Sequence, residues 1–448
     1  MRHEQTKDEG KTSDHPRVII LGAGFGGFYC VRYLVKQLAH LHRAVDVTLI
    51  DRNNYFFFIP LLHEAMVQRV AMHHIVHPIR QSLRRMPVTF CETTVKSIDL
   101  AAQVVHTEDG ALPYDYLVLA LGSTTNYYQN QQFARYGFPM KSPDDAYRLR
   151  NHVIRMFSLA AETADTDRRR QLLTFLMVGA GYTGQETITE LHDFIHASLL
   201  RDYPQIQPAE IRLLMVDGHP DLPVPPHRGL ARRALRVLQR RGIEIRFHTR
   251  VKDAGAEWVE LADGERINTC TMIWTAGVQA NPIVADLPVA KGSLGRLQVL
   301  PTLQLPGYPQ VFVLGDCTYF QPDDHPALPP TAQVANQQAA TAADNLTCLL
   351  TGRVLSPFIY HQKVELATLG PYHGVAEIGP LRFHGFLAWL AINVIYLYIL
   401  PCWRERARIA ADWWINLFYP PDTSCISAES SSALSTAQKN DGQTQKET

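Results

Sequence analysis

Apolar residues in this chain gather in two rhythms. Short runs, nearly unbroken by polar positions, recur at Arg17–Leu21 (RVIIL), 45–50 (VDVTLI), 114–121 (YDYLVLAL), 173–178 (LTFLMV), 211–216 (IRLLMV), 272–276 (MIWTA) and 311–314 (VFVL). Runs of this length without alternation predict strands buried on both faces, the habit of parallel sheets. Helical spacing follows the first run through Phe28, Val31, Leu34, Val35 and Leu38, and returns in the Ala- and Gln-rich stretch 331–350 behind Pro329-Pro330. The strand-turn-helix opening at residue 17 restarts at residue 173, so the pattern predicts an α/β protein in which one nucleotide-type fold follows another.

The expected organisation is a polar arm over 1–16, a first dinucleotide-binding segment over 17–140 and a second over 141–290. The chain then returns to the first fold over 291–353, continues into a C-terminal region over 354–420, and ends in a disordered tail over 421–448, rich in Ser, Gln and Lys. A length of 448 residues accommodates several domains. With 43 basic and 43 acidic side chains the formal charge is zero, which argues against a nucleic-acid binder built on broad phosphate neutralisation. Seven cysteines without a CxxC pair read as reduced thiols, and the polar start lacks the apolar stretch of a secretory signal. Nothing in the sequence marks a metal site.

The chemistry lies in two glycine turns. Gly22-Ala23-Gly24-Phe25-Gly26-Gly27 fits GxGxxG after a strand and before a helix, and Asp51 closes the next strand, where a carboxylate can meet ribose hydroxyls. Gly179-Ala180-Gly181-Tyr182-Thr183-Gly184 repeats the arrangement, with Asp217 as its acid. One such turn is weak evidence; two complete copies, with the Gly315-Asp316 turn ending another strand, point to FAD in the first fold and a nicotinamide donor in the second. Asp217 favours the free 2′-hydroxyl of NADH over a 2′-phosphate. Asp316 is placed to hold polyol hydroxyls of the flavin, and a helix starting near Thr331 would set its positive end toward the ring.

These residues resemble the two-dinucleotide-binding-domain flavoproteins, and more narrowly the type II NADH:quinone oxidoreductases, over most of the chain. The match includes Asp51-Arg52-Asn53-Asn54-Tyr55 leading into Phe58-Ile59-Pro60-Leu61-Leu62, the 114–123 strand ending in Gly122-Ser123, and Trp274-Thr275-Ala276-Gly277-Val278. It also includes Ala332-Gln333-Val334-Ala335-Asn336-Gln337, similar to the AQxAxQ signature tied in that family to quinone. The resemblance implies FAD contacts at Gly22, Gly24, Phe25, Gly26, Gly27, Asp51, Arg52, Val95, Ala120, Gly122, Asp316, Ala332 and Gln333. It implies NADH contacts at Gly179, Gly181, Tyr182, Thr183, Gly184, Glu186, Asp217, Ala276 and Gly277. Glu186, Gln333 and Gln337 are the implied catalytic positions: the two glutamines for quinone carbonyls, Glu186 to orient the nicotinamide or relay a proton. The chain departs from the family pattern at Phe56 and Ile59 (more often His and Gln), His63 (Tyr) and Val364 (Gly).

Residues 385–400 (GFLAWLAINVIYLYIL) carry no charge and, among strongly polar residues, only Asn393. As a helix these 16 residues reach about 24 Å, short of the roughly 30 Å hydrocarbon core. The next stretch repeats Arg404, Arg408, Asp412 and Asn416 every four residues and holds Trp413 and Trp414, a composition suited to a lipid interface. The expectation is therefore a peripheral, monotopic flavoenzyme on the cytoplasmic side of the cell membrane. It passes electrons from NADH to a membrane quinone, ubiquinone or menaquinone, without proton pumping, docks through 385–419, and allows a homodimer. Two alternatives share the scaffold: a sulfide:quinone oxidoreductase-like enzyme using Cys317 and Cys348, and a non-catalytic NADH sensor.

Overall fold

The computed structural model describes residues 15–41, 43–222, 228–322 and 325–425, so most of the polar arm and the tail beyond 425 lie outside the described residues. Two compact units form. One holds the chain to residue 57 with 76–126 and 278–362; the other holds 58–75, 127–277 and everything from 363.

In the first unit Arg17–Leu21 lies at the centre of a six-stranded sheet, between Tyr116–Leu119 and Asp46–Asp51, with Val88–Glu92 and Tyr308–Val313 outside them. All these pairings are parallel, and only the short Gln304–Leu305 strand runs against its neighbour. Leu21, Ile50, Leu117, Leu119 and Val313 pack into one apolar core, which the unalternating strand sequences require. The Phe25–Leu41 and Ala332–Thr351 helices pack together, Tyr33 donating to Asn336 Oδ1 at 2.9 Å and Gln37 pairing with Asp344.

The second unit repeats the plan. Thr174–Val178 is central in a five-stranded, wholly parallel sheet, flanked by Thr271–Trp274 and Arg212–Val216, with Gly137–Pro139 and Glu244–Arg246 at the edges. The repetition extends to a part that the apolar runs did not reveal. Each unit carries a three-stranded antiparallel meander before its last inner parallel strand: Val95–Asp99, Val104–Thr107 and Ala111–Pro113 in the first, Val251–Ala254, Trp258–Leu261 and Arg266–Asn268 in the second.

Strand pairing draws the boundaries differently from the sequence expectation. Residues 127–140 join the second unit because Gly137–Pro139 extends its sheet. Residues 278–290 rejoin the first because Val278–Ala280 pairs antiparallel with Ser123–Thr125. The 354–362 segment also stays with the first unit, tied by Asn345 to both N–H and C=O of Ser356 and by Phe358 N–H to Pro301 O.

From residue 363 the chain builds an antiparallel sheet, Val364–Thr368, Gly374–Ile378 and Leu381–His384, that helical periodicity did not announce. The Phe386–Ile399 helix packs on it, with Ala388, Ile392, Asn393 and Tyr396 buried. Among the described residues no helix is long and apolar enough to cross a membrane. Beyond the Trp403–Ile415 helix, the residues expected to begin the tail are held: the buried Arg150 guanidinium donates to Asp422 O, Asp422 Oδ1 and Ser424 O, and Ser198 donates to Pro421 O. A buried guanidinium needs several acceptors, and this segment supplies them.

Candidate active site

The two glycine turns are built alike, atom for atom. Gly22 and Gly179 have φ of +95° and +104°, and a Cβ on either would lie 2.3 Å from Ala120 O or 2.7 Å from Thr275 O. Gly27 and Gly184 close each helix onto its turn so tightly that a Cβ would meet the carbonyl oxygen of Gly22 at 1.9 Å and of Gly179 at 2.1 Å. By contrast, a Cβ on Gly24 or Gly181 would meet nothing within 4 Å. The protein thus has no packing use for the middle glycine, whose bare backbone leaves room for a pyrophosphate at the helix N-terminus. This pattern of one turn glycine, one open glycine and one packing glycine fits a dinucleotide in both units.

The acids match as well. Asp51 accepts from Ala23 N–H at 2.7 Å and Asn53 N–H at 2.8 Å; Asp217 accepts from Ala180 N–H at 2.6 Å and His219 N–H at 2.7 Å. Each carboxylate therefore buttresses its own glycine turn, and a ribose hydroxyl would share oxygens already engaged. In the first unit Phe25 stacks edge-on against Phe56, Arg52 is exposed, and Val95 lies in the apolar core. Ala120 and Gly122 follow the Tyr116–Leu119 strand, Gly122 with φ +70°. Asp316 sits in a 3-10 turn and accepts from Ser123 Oγ. In the second unit Tyr182 and Thr183 open the helix after the turn, and Ala276 O accepts from Tyr128 OH at 2.8 Å just before Gly277.

Thr331 caps the Ala332–Thr351 helix, its hydroxyl accepting from Val334 N–H at 3.3 Å. The two signature glutamines are both engaged within the first unit. Gln333 donates to Tyr360 OH at 2.7 Å, while Gln337 donates to His361 O at 2.9 Å and accepts from His361 N–H at 3.1 Å. Gln337 thus ties down the 359–362 segment, and a quinone carbonyl at its amide would have to displace that pair. The neighbouring Gln338 is fully buried and accepts from Gly315 N–H at 2.7 Å, fixing the turn that carries Asp316. Its signal was present: Gln338 lies on the same helical stripe as Val334 and Ala342, where a polar residue needs a partner.

Glu186 belongs to a buried cluster of carboxyls in the second unit. It lies on the Tyr182–Phe194 helix, buried, and accepts from Thr368 N–H at 3.2 Å and Thr368 Oγ1 at 3.3 Å. His63 stands beside it, Nδ1 3.5 Å from Glu186 Oε2 and Nε2 3.0 Å from Thr368 Oγ1. Burial pushes the Glu186 carboxyl up to about 8 and the His63 imidazole down to about 3. Near neutrality Glu186 can hold a proton while His63 stays neutral. Thr368 gave no sequence signal, because only the folding of the C-terminal sheet brings it here.

A family model described as pyridine nucleotide-disulphide oxidoreductase matches residues 16–339. The type II NADH:quinone oxidoreductase Ndh of Mycobacterium tuberculosis is 34% identical over 416 residues, 89% of this chain and 88% of that protein. The type II NADH:quinone oxidoreductase of Staphylococcus aureus is 29% identical over 370 residues, 82% of this chain and 90% of its own. Among solved structures, NDH2 from Plasmodium falciparum in complex with NADH superposes with a TM-score of 0.83 at 19% identity, over 91% of this chain and 99% of that one. The sulfide:quinone oxidoreductase of Aquifex aeolicus follows the same fold with a TM-score of 0.69 at 18% identity, over 90% of this chain and 96% of that one. Fold and turns define a two-dinucleotide α/β oxidoreductase that takes FAD and NADH. The chain belongs to the pyridine nucleotide-disulphide oxidoreductase family and, within it, to the type II NADH:quinone oxidoreductases.

Proposed function

We propose that this enzyme works at a lipid surface, on the cytoplasmic face of the cell membrane, reducing a membrane quinone without pumping protons. The observation that carries the lipid reading is the orientation of the Trp403–Ile415 helix. The C-terminal end of its polar stripe faces the protein, while Arg404 stays exposed: Asp412 accepts from Ala71 N–H at 3.0 Å and lies 2.6 Å from His74 Nδ1, and Asn416 donates to Arg69 O at 2.6 Å. Its apolar stripe faces out, with Trp403, Trp414, Ile415 and Phe418 all more than half exposed. The sequence pattern anticipates Trp413 and Trp414 side by side at the interface; instead Trp413 turns inward and donates to Glu64 Oε2 at 2.7 Å. Phe386, Leu387, Val394 and Tyr398 of the preceding helix are likewise exposed. A helix that turns Asp412 inward and leaves large apolar side chains outward beside Arg404 suits a lipid interface.

The overall reaction is NADH + H⁺ + quinone → NAD⁺ + quinol. FAD, when bound, would supply the two-electron redox chemistry that links NADH to quinone. The chain's part is to hold the two dinucleotides on Gly22, Gly24 and Gly27 with Asp51, and on Gly179, Gly181 and Gly184 with Asp217. Gln333 offers its amide to a quinone carbonyl, and Glu186 holds the proton that quinone reduction consumes. The sulfur-capturing alternative finds little support, since Cys317 is fully buried, donates to Leu314 O at 3.1 Å and has its thiol pushed up to about 12.

Anaerobic stopped-flow absorbance tests this reading. Flavin bleaching by NADH followed by prompt recovery on adding a short-chain quinone is expected; bleaching without recovery sinks the quinone assignment. Co-flotation with lipid vesicles checks the surface, and vesicles containing the enzyme should build no pH gradient during turnover.

A further inference from the structure

Glu186 is not alone in its unit. The Leu62–Met66 helix begins with Leu62-His63-Glu64, and its His63 and Glu64 are both buried. Glu64 Oε1 lies 4.0 Å from His63 Nε2, and its other oxygen accepts the Trp413 indole N–H. The imidazole therefore stands between two buried carboxyls, Nδ1 toward Glu186 and Nε2 toward Glu64 and the Thr368 hydroxyl. At this position the resembled family more often carries tyrosine, which offers one polar atom where imidazole offers two.

The charges around this row are uneven. Arg69 is the cation that faces it, and it is ion-paired with Glu190 at 3.1 Å. On the same helix as Glu190, Asp193 is held by Arg241 at 3.0 Å and by His192. Glu64 also faces Asp412; Tyr182, Tyr396 and Glu190 face Glu186, and Glu365 faces Tyr182. Among the described residues Glu64 shares Arg69 with Glu190 and Glu186 has no Lys or Arg in an ion pair, and burial pushes Glu64 up to about 7. A cavity of about 250 Å³, lined by Gln68, Arg69, Asp412 and Asn416 among others, opens beside the Arg69 and Asp412 that face Glu64.

We propose that Glu64 is a second proton-holding carboxyl of the reaction, joined to Glu186 through the two ring nitrogens of His63 and resupplied from the Arg69–Asp412 cavity. The inference rests on Glu186 as the proton-holding group of quinone reduction and extends that role to its supply. Of the two protons on the quinol, one enters with the hydride of NADH and one comes from water. A side-chain shift of about 1 Å closes the 4.0 Å between Glu64 and His63 Nε2 to hydrogen-bond distance, and that second proton then passes from the Glu64 carboxyl to Nε2 as the Nδ1 proton passes to the Glu186 carboxylate. Glu64, left ionised, regains a proton from water in the cavity. No net charge is added to the imidazole, in keeping with its lowered basicity. The starting tautomer returns through Glu186: Nε2–H gives its proton to the Thr368 hydroxyl as that hydroxyl gives its own to the Glu186 carboxylate, which passes one back to Nδ1.

The test uses the full-length FAD enzyme, with NADH and then a short-chain quinone added in separate stopped-flow steps across a pH series in H₂O and D₂O. Glu64→Gln keeps an acceptor for Trp413 but cannot pass a proton, and His63→Phe removes both relay atoms. Each should slow flavin reoxidation by about tenfold or more beyond any change in its reduction, the scale of lost general acid–base transfer. The loss should deepen at higher pH, where solvent protons are scarce. Glu64→Asp should restore part of the rate, and added imidazole should partly rescue His63→Gly. Wild type that bleaches but is never reoxidised by quinone overturns the quinone reading and the relay with it. Wild type that turns over while both variants keep its pH profile and isotope effect, or lose both half-reactions equally, overturns the relay alone.

Discussion

The two glycine turns share their geometry to within a few tenths of an ångström, yet the helices that follow them carry different chemistry. After the first turn come Phe25, Phe28 and Tyr29, clustered with Phe56 around an aromatic core. After the second come Glu186, Glu190 and Asp193, spaced so that they share one helical face, on which a carboxyl cluster assembles. The dinucleotide cradle depends on backbone shape and leaves the outward helix positions free. One unit uses that freedom for packing, the other for proton-holding groups.

The largest effect expected on this comparison comes from the packing glycines. Gly27→Ala and Gly184→Ala place a methyl about 2 Å from a carbonyl oxygen, and each should destabilise its unit by more than about 3 kcal/mol, read by thermal unfolding and flavin content. Gly24→Ala and Gly181→Ala sharpen the contrast. With open space around the new methyl they should shift stability by less than about 0.5 kcal/mol, while Gly24→Ala lowers FAD occupancy and Gly181→Ala raises the KM for NADH. Unfolding by the middle-glycine variants would show that the open space is used by the protein itself.

Next in size is the outward apolar face of the second unit. Replacing Trp403, Trp414 and Phe418 together by Ser should weaken vesicle binding at least a hundredfold, since each removes about 1–2 kcal/mol of apolar burial, with stopped-flow reduction by NADH in detergent as the check on folding. Unchanged flotation would place the lipid contact elsewhere.

A smaller effect separates the two units by pH. The carboxyls of Glu64 and Glu186 stand above their ordinary value of 4.5, at about 7 and about 8, so the folded protein binds more protons than the unfolded chain between those limits. Stability from this source is fully present below about pH 4.5 and falls as pH rises through about 7 to 8. Below about pH 6.5 the buried His63 and His152, held down to about 3 and about 4, oppose this trend, so chemical unfolding followed from pH 6.5 to 8 should show the decline, and Glu186→Gln should lessen it. The smallest expected change is a gain: Asn393, buried on the apolar helix, has neither amide atom hydrogen-bonded among the described residues, so Asn393→Leu should stabilise the protein by about 1 kcal/mol. A loss of quinone reduction in that variant would instead mark the amide as a substrate contact.

Much of this was legible along the chain. Local rules act on both glycine turns: a strand must stop, the backbone must take a positive φ, and the helix must close on the turn, so Gly22, Gly27, Gly179 and Gly184 announce themselves in order. The signature helix and its Thr331 cap follow from spacing and capping chemistry in the same way. Less legible were elements whose partners are distant. The antiparallel sheet from Val364 reads as a weak pattern because its strands are short and pack against helices distant in the chain as well as the one that follows it. Gln337 looked free because its partner, the His361 backbone, lies in a segment without periodicity. Trp413 and Trp414 looked equivalent because adjacent helix positions differ in direction only once the helix has a neighbour.

The sequence by itself determined the duplicated α/β plan, the two cradles and the acids that close them, because each depends on residues within one strand-turn-helix unit. Only the tertiary structure decided that His63, Glu64, Glu186 and Thr368 stand together, since they come from three separate stretches of chain and acquire their shifted proton affinities from shared burial. It also decided which face of the Trp403–Ile415 helix looks outward: periodicity defines two faces, and only contacts with residues 64–74 choose between them.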